Sequence, residues 1–230
     1  MLEAFGLGLL AQSSLLLAGL LVCWVAVPRR LVGALAGFGA GALIAAVSFD
    51  LIAEADALDS WELALWMLIG AGIFLGGDYI VEQRFGSEGT GGSMGIVVGS
   101  VVDGVPESII FGIQVATGSP ISASFLAAVF VSNVPQAMAP SADLAASGWS
   151  ARQLGQLWLL VVVACGVAAA LGFLAADAMG DVNGDRMAAL AAGGLLAMLT
   201  NSLMPFAFER AGAIAGVATV VGFCVSVVGT

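Results

Sequence analysis

The feature that most constrains this chain is a succession of long apolar runs separated by short polar breaks. A transmembrane helix needs about 20 mainly apolar residues, and eight stretches of about this length follow one another along the sequence. Only 10% of the residues are charged, against about 25% in an ordinary globular domain. The pattern predicts an all-α polytopic membrane protein whose single domain covers residues 1–230. The predicted transmembrane helices span about 5–27, 31–53, 61–81, 94–117, 120–146, 154–176, 187–208 and 211–229.

The charged and reactive residues exclude several classes of function. All six positive charges are arginines facing sixteen carboxylates, and a net charge of -10 cannot neutralise the phosphates of a nucleic acid. The chain has no histidine, which removes catalysis by a serine or cysteine triad. Its three cysteines lie in apolar runs and predict neither a disulfide framework nor a thiolate close to a metal. We therefore expect no enzyme and no organic cofactor.

The arginines also predict an orientation in the membrane. With eight spans, alternate loops lie on the same side, and loops rich in arginine stay in the cytoplasm. We expect an integral protein of a bacterial inner membrane with both termini outside the cytoplasm. Five arginines fall on the predicted cytoplasmic side and one on the other: Arg29, Arg30, Arg84, Arg152 and Arg210 against Arg186.

Two carboxylates stand apart because they lie in the middle of the fourth span. Asp103 and Glu107 are four residues apart and therefore share one face of a helix. A charge at this depth costs about 3 kcal/mol and indicates a functional site. Two like charges so close need a proton, an arginine or a metal cation to compensate them. No arginine is predicted at this depth, so a bound cation or a shared proton is expected.

Prolines interrupt the fourth and fifth spans at matching places. Pro106 removes a backbone hydrogen bond and frees a carbonyl near Val102. The segment 102–107 aligns with 131–136, so that Pro135 occupies the place of Pro106. Paired, proline-broken helices point to a transport site at the midplane of the membrane. The alternative is a pair of ordinary kinked helices whose polar groups bond to one another.

Other polar residues are placed at the ends of the predicted spans. Asn201, one turn before a proline in the seventh span, could join the site or make an interhelical hydrogen bond. Asp50 and Glu54 close the second span and could form an entrance for cations, or simply a solvated helix end. Asp143, late in the fifth span, could line an exit.

The fourth-span sequence Asp103-Gly104-Val105-Pro106-Glu107-Ser108 resembles the His-Asn-x-Pro-Glu-Gly motif of the ZIP family of divalent metal transporters. The resemblance extends over nearly the whole chain, including the end of the second span and the segment 201–209. It implies eight helices, both termini outside, and a metal site in the proline-broken fourth and fifth helices. Here aspartate replaces the motif's histidine, and Gln136 replaces the glutamate of the family's fifth helix. No acidic residue precedes the proline of the seventh span, where the family usually has one.

These departures shape the functional hypothesis. Two carboxylates balance one divalent ion but not two, so we expect a single metal held as transported substrate and moved inward by alternating access. Oxygen ligands favour manganese, iron(II) or magnesium and weaken zinc. The partners are the lipid bilayer and the transported cation, and exposed glycines such as Gly72 and Gly76 permit a homodimer. The predicted metal ligands are Asp103, Glu107, Asn133, Gln136, Ser132 and Asn201.

Three alternatives remain at this point. The same architecture could carry another substrate, because the family's histidine and two of its carboxylates are missing. A degenerate site could also bind without transporting. An intramembrane aspartyl protease would need Asp78 to meet Asp103, although Leu75-Gly76-Gly77-Asp78 lacks the first glycine of the usual Gly-x-Gly-Asp turn.

Overall fold

The computed structural model describes residues 1–85, 93–119, 121–178 and 184–229, and within them every regular element is a helix. This confirms the all-α prediction. The expected start of the fifth span, residue 120, lies outside the described residues. The described helices are α1 (Leu2–Leu21), α2 (Arg29–Glu54), α3 (Ser60–Phe85), α4 (Ser93–Thr117), α5 (Ala123–Ala146), α6 (Ala151–Ala178), α7 (Gly184–Ala211) and α8 (Ala213–Gly229).

Helix length and surface composition are compatible with an integral membrane protein. Five described helices, α1, α2, α3, α6 and α7, are long and apolar enough to cross a membrane, and α8 is a shorter apolar helix. Large aliphatic side chains cover the outside of the bundle, among them Leu68 at 71% exposure and Val217 at 67%. An aqueous surface rarely tolerates such a continuous apolar exterior.

Successive helices run in alternating directions and give the bundle two chemically different ends. At the first, which we call the arginine end, Arg29 at the start of α2 pairs with Glu209 near the end of α7 at 2.7 Å. At the opposite end, the acidic end, the last turn of α2 carries Asp50 and Glu54. There the side chain of Arg186 pairs with Glu62 at 2.7 Å.

Glycines allow α2 and α8 to pack backbone against backbone. A Cβ on Gly37 would stand 2.5 Å from the Ala215 carbonyl oxygen, and one on Gly41 would collide with the Thr219 carbonyl. This close approach is the usual role of small residues in membrane helices. By contrast, Gly72 and Gly76 of α3 face open space within the described structure.

The helices are irregular in different places from those predicted. The interruption expected at Pro106 and Pro135 is not seen, because α4 and α5 continue as helices through both residues. A proline removes one backbone N–H, and the following turns can resume normal bonding. Instead, α2 and α7 each contain a π-helical turn, at Val47–Leu51 and Leu199–Leu203. Such turns are frequent at functional sites, and these two carry polar residues of the candidate pathway.

Candidate functional site

A polar cavity opens at the arginine end, between α4, α5 and α7. It has a volume of about 310 Å³, and its lining includes Asp103, Gln136 and Ser202. The Ser202 hydroxyl donates a hydrogen bond of 2.9 Å to Asp103 Oδ2. Gln136 and Asp103 are both half-buried and face this space from neighbouring helices. The cavity therefore brings together a carboxylate, an amide and a hydroxyl, three oxygen groups that can bind a cation.

The same cavity contains charges that the sequence did not place beside Asp103. Asp143 and Arg210 both line it. The Arg210 guanidinium lies 3.7 Å from the centroid of the Phe206 ring and 3.6 Å from the Glu209 carboxylate. Arg210 therefore shares this cavity with Asp103, while the prediction that no arginine lies at the depth of the two carboxylates stays a prediction. Sequence reasoning assigned Arg210 to a loop, whereas α7 continues to Ala211 and carries the side chain along the cavity wall.

Glu107 lies one turn deeper than Asp103 and is 1% exposed. Gln12 Nε2 donates a hydrogen bond of 3.1 Å to Glu107 Oε2, and Gln12 Oε1 accepts one of 2.9 Å from Asn133 Nδ2. These three side chains form a buried chain from α4 through α1 to α5. Glu107 Oε1 has no hydrogen-bond partner within the described part of the chain.

Gln12 is a buried site residue that sequence reasoning missed. It is fully buried and joins two predicted ligands on helices that make little direct contact with each other. A polar residue in the middle of the apolar first span was the available signal, because amides at this depth need a partner. The partner could not be predicted, because Gln12 and Glu107 are 95 residues apart in the chain.

Of the six predicted ligands, Asp103 and Gln136 line the cavity, and the other four do not. Two of these four, Ser132 and Asn201, also lie outside the buried chain of Glu107, Gln12 and Asn133. The Ser132 hydroxyl donates to the Val129 carbonyl at 2.9 Å, and its backbone packs against Gly39 of α2. Asn201 is exposed and donates a hydrogen bond of 2.6 Å to Asp78 on α3. Adjacent residues on a helix point about 100° apart. The next residues along the chain, Asn133 and Ser202, therefore point towards Gln12 and Asp103 instead.

The acidic end holds a second polar group. Asp50 Oδ2 accepts hydrogen bonds from Ser122 and Ser124 at 2.7 and 2.9 Å. Gln114 Nε2 donates to Glu54 Oε1 at 3.0 Å. Both predicted entrance residues thus bind side chains at the ends of α4 and α5 and are not simply solvated.

Aromatic packing separates the acidic end from Glu107. Phe111 and Phe125 are fully buried, and their ring centroids lie 5.0 Å apart. In chain position, Phe111 stands between Glu107 and Gln114 on α4. The bundle is consequently open to a polar cavity at the arginine end and filled with apolar side chains towards the acidic end.

The described residues contain no group of three or more aspartate, glutamate or cysteine side chains placed to hold a metal ion. A cation in this bundle would therefore depend on one or two carboxylates supplemented by neutral ligands. No protein-family model matches the chain, and no curated protein matches its sequence.

Proposed function

We propose that the protein is a membrane transporter that moves a divalent cation, such as zinc, iron or manganese, into the cytoplasm. The observation that carries the proposal is the polar cavity that ends at Asp103, with the buried carboxylate of Glu107 one turn further along the same helix. The resemblance of this helix to the ZIP metal-transporter motif agrees with that function.

Charge balance supports a cationic substrate. Each ionised side chain in an apolar bundle costs about 3 kcal/mol, yet the hydrogen-bond donors of Asp103 and Glu107 are the neutral groups Ser202 and Gln12. Neutral donors reduce the desolvation penalty without cancelling the charge, whereas a divalent ion cancels both charges. One ion at a time therefore fits this path better than two.

The contacts of these side chains support one assignment of ligands. Asp103, Gln136 and Ser202 would bind the ion in the cavity, and Glu107 would bind it at the deeper position. Asn133 would act through Gln12, which fixes the orientation of the Glu107 carboxylate. Ser132 and Asn201 would contribute packing and an interhelical hydrogen bond rather than ligands.

The two ends of the bundle suggest the direction of transport. The arginine end would face the cytoplasm according to the positive-inside rule, so the cavity would be open inward and both termini would lie outside. Asp50 and Glu54 would attract cations at the outer entrance. The alternate state would require Phe111 and Phe125 to separate, so that the ion could pass from the acidic end to Glu107.

Uptake into proteoliposomes tests the proposal. We expect saturable uptake of at least one ion from a panel of zinc, manganese, iron(II) and magnesium. The variant Asp103→Ala/Glu107→Ala should lose this uptake, and the control Glu3→Ala/Asp177→Ala, which removes two exposed carboxylates, should retain it. Failure of every ion with folded wild-type protein, or equal uptake by the double variant, would contradict the proposal.

Arg210 supports one second candidate, a carrier of a small zwitterion. Its guanidinium and the Asp103 carboxylate line the same cavity, so the space offers charges of both signs. Arg210→Ala separates the two functions. A cation carrier should gain affinity for its ion when this positive charge is removed, whereas a zwitterion carrier should lose a contact and transport less.

A further inference from the structure

Cys165, in the middle of α6, lies beside the predicted cation path. The thiol faces the backbone of α4 at Gly104, the residue that follows Asp103. The position of a Cβ on Gly104 would be 2.8 Å from Cys165 Sγ and 3.2 Å from Gln12 Oε1. Because Gly104 has no side chain, both the Cys165 thiol and the Gln12 amide can lie close to the backbone of α4 at this residue.

The Glu107 carboxylate is carried by the same helix, and one of its two oxygens makes no hydrogen bond within the described residues. Its Oε2 is held by Gln12, while its Oε1 is buried without a hydrogen-bond partner among the described residues. Glu107 follows Gly104 by three residues on α4, so the carboxylate lies on the face of the helix that the Cys165 thiol contacts. A fully buried polar oxygen without a donor calls for an explanation such as a bound ion.

We propose that Glu107 Oε1 and Cys165 Sγ together bind the transported cation after it leaves Asp103, and that the thiolate makes the carrier selective for thiophilic divalent ions. This inference rests on the proposed transport function and names its substrate class. It also replaces the expectation of a hard cation, which assumed that no thiolate was near the site.

Metal binding at this position would replace the proton of the Cys165 thiol. Binding of M²⁺ forms a metal–sulfur bond and breaks the S–H bond of Cys165, and the released proton leaves to water in the Asp103 cavity. Thiolates select zinc-like ions over manganese and magnesium, which prefer oxygen ligands. Gln12 Oε1 already accepts from Asn133 and has a second lone pair available as a further ligand.

The other two cysteines provide matched controls. Cys23 lies just beyond the end of α1, and Cys224 is exposed on α8. In Cys23→Ser/Cys224→Ser protein, Cys165 is the sole thiol, so any metal–thiolate absorption must come from it. We expect cobalt(II) or cadmium to produce a sulfur-to-metal charge-transfer band in this protein, and Cys165→Ser to abolish the band while Cys224→Ser retains it.

Transport provides the second readout. Cys165→Ser should lower the ratio of zinc to manganese uptake by about tenfold, the lower end of the effect of altering a metal-site group. Cys165→Ala, with correct folding checked by thermal unfolding, guards against an effect of the new hydroxyl. The inference is overturned if the sole-thiol protein shows no charge-transfer band, or if the zinc preference is unchanged in both variants. Absorption needs no transport, whereas absent uptake of every divalent ion by wild-type protein counts against the transport function itself.

Discussion

Replacing Gln12 with leucine tests whether the buried chain of amides organises the site. The change removes two hydrogen bonds, one of 3.1 Å to Glu107 and one of 2.9 Å from Asn133, and keeps a side chain of similar volume. Both partners remain buried, each 1% exposed, so water cannot readily replace the lost contact. Gln12→Leu should therefore destabilise the fold even though leucine is better suited to an apolar bundle.

The expected magnitude follows from two ranges. An unsatisfied buried group in a soluble protein costs about 1–3 kcal/mol, whereas hydrogen bonds between membrane helices average about 0.6 kcal/mol with a maximum of about 1.7. The membrane values are used because unfolding in detergent–lipid micelles would leave the separated apolar helices in an apolar phase. Two such bonds give an expected loss of about 1–3 kcal/mol in the free energy of unfolding.

Equilibrium unfolding in mixed detergent–lipid micelles measures this loss. Gln136→Leu is the matched control, because it makes the same chemical change at a half-buried position on the cavity wall. The control should change the free energy of unfolding by about 0.5 kcal/mol or less, as expected away from buried networks. Gln12→Leu/Glu107→Leu should recover part of the stability, since removing both partners leaves fewer orphaned groups. If Gln12→Leu is as stable as Gln136→Leu, the amide chain does not hold the site together.

Three further changes probe charge, packing and hydrogen bonding. Arg210→Ala should tighten cation binding about fivefold, because a screened like charge in the cavity contributes about 1 kcal/mol; unchanged binding in equilibrium dialysis would place the ion elsewhere. Gly41→Ala should lower the free energy of unfolding by about 1–3 kcal/mol, because the new Cβ collides with the α8 backbone. The control Gly72→Ala places its Cβ in open space and should not lower it, so equal unfolding free energies for the two variants would contradict this packing. Trp158→Phe should cost about 1 kcal/mol by removing the 2.7 Å bond from Nε1 to Ser141 Oγ, and the unfolding free energy of Ser141→Ala should fall similarly if that bond is the cause.

The helical class and the central carboxylate could be predicted from local sequence patterns. Long apolar runs specify helices whatever their neighbours, and a carboxylate in the middle of such a run has few uses other than a site. Glu107 is indeed buried at the centre of the bundle, and Gln136 lines the cavity beside Asp103. Asp50 and Glu54, the predicted entrance residues, also lie together at one end.

The remaining features depend on tertiary contacts and helix rotation. Gln12 and Cys165 reach the site from α1 and α6, whose packing against α4 no local pattern specifies. Rotation by one residue decides that Ser202 rather than Asn201 contacts Asp103. The predicted breaks at Pro106 and Pro135 are not seen, because a helix can continue past a single missing N–H.

The central claim is that this bundle holds one divalent cation on the two carboxylates of α4. Equilibrium dialysis of purified protein against zinc and manganese, with bound metal counted per chain, tests it most directly. We predict saturation at one ion per chain for wild-type protein and no specific binding to Asp103→Ala/Glu107→Ala. A wild-type protein that binds neither ion, or a double variant that binds as well as wild type, would contradict the account.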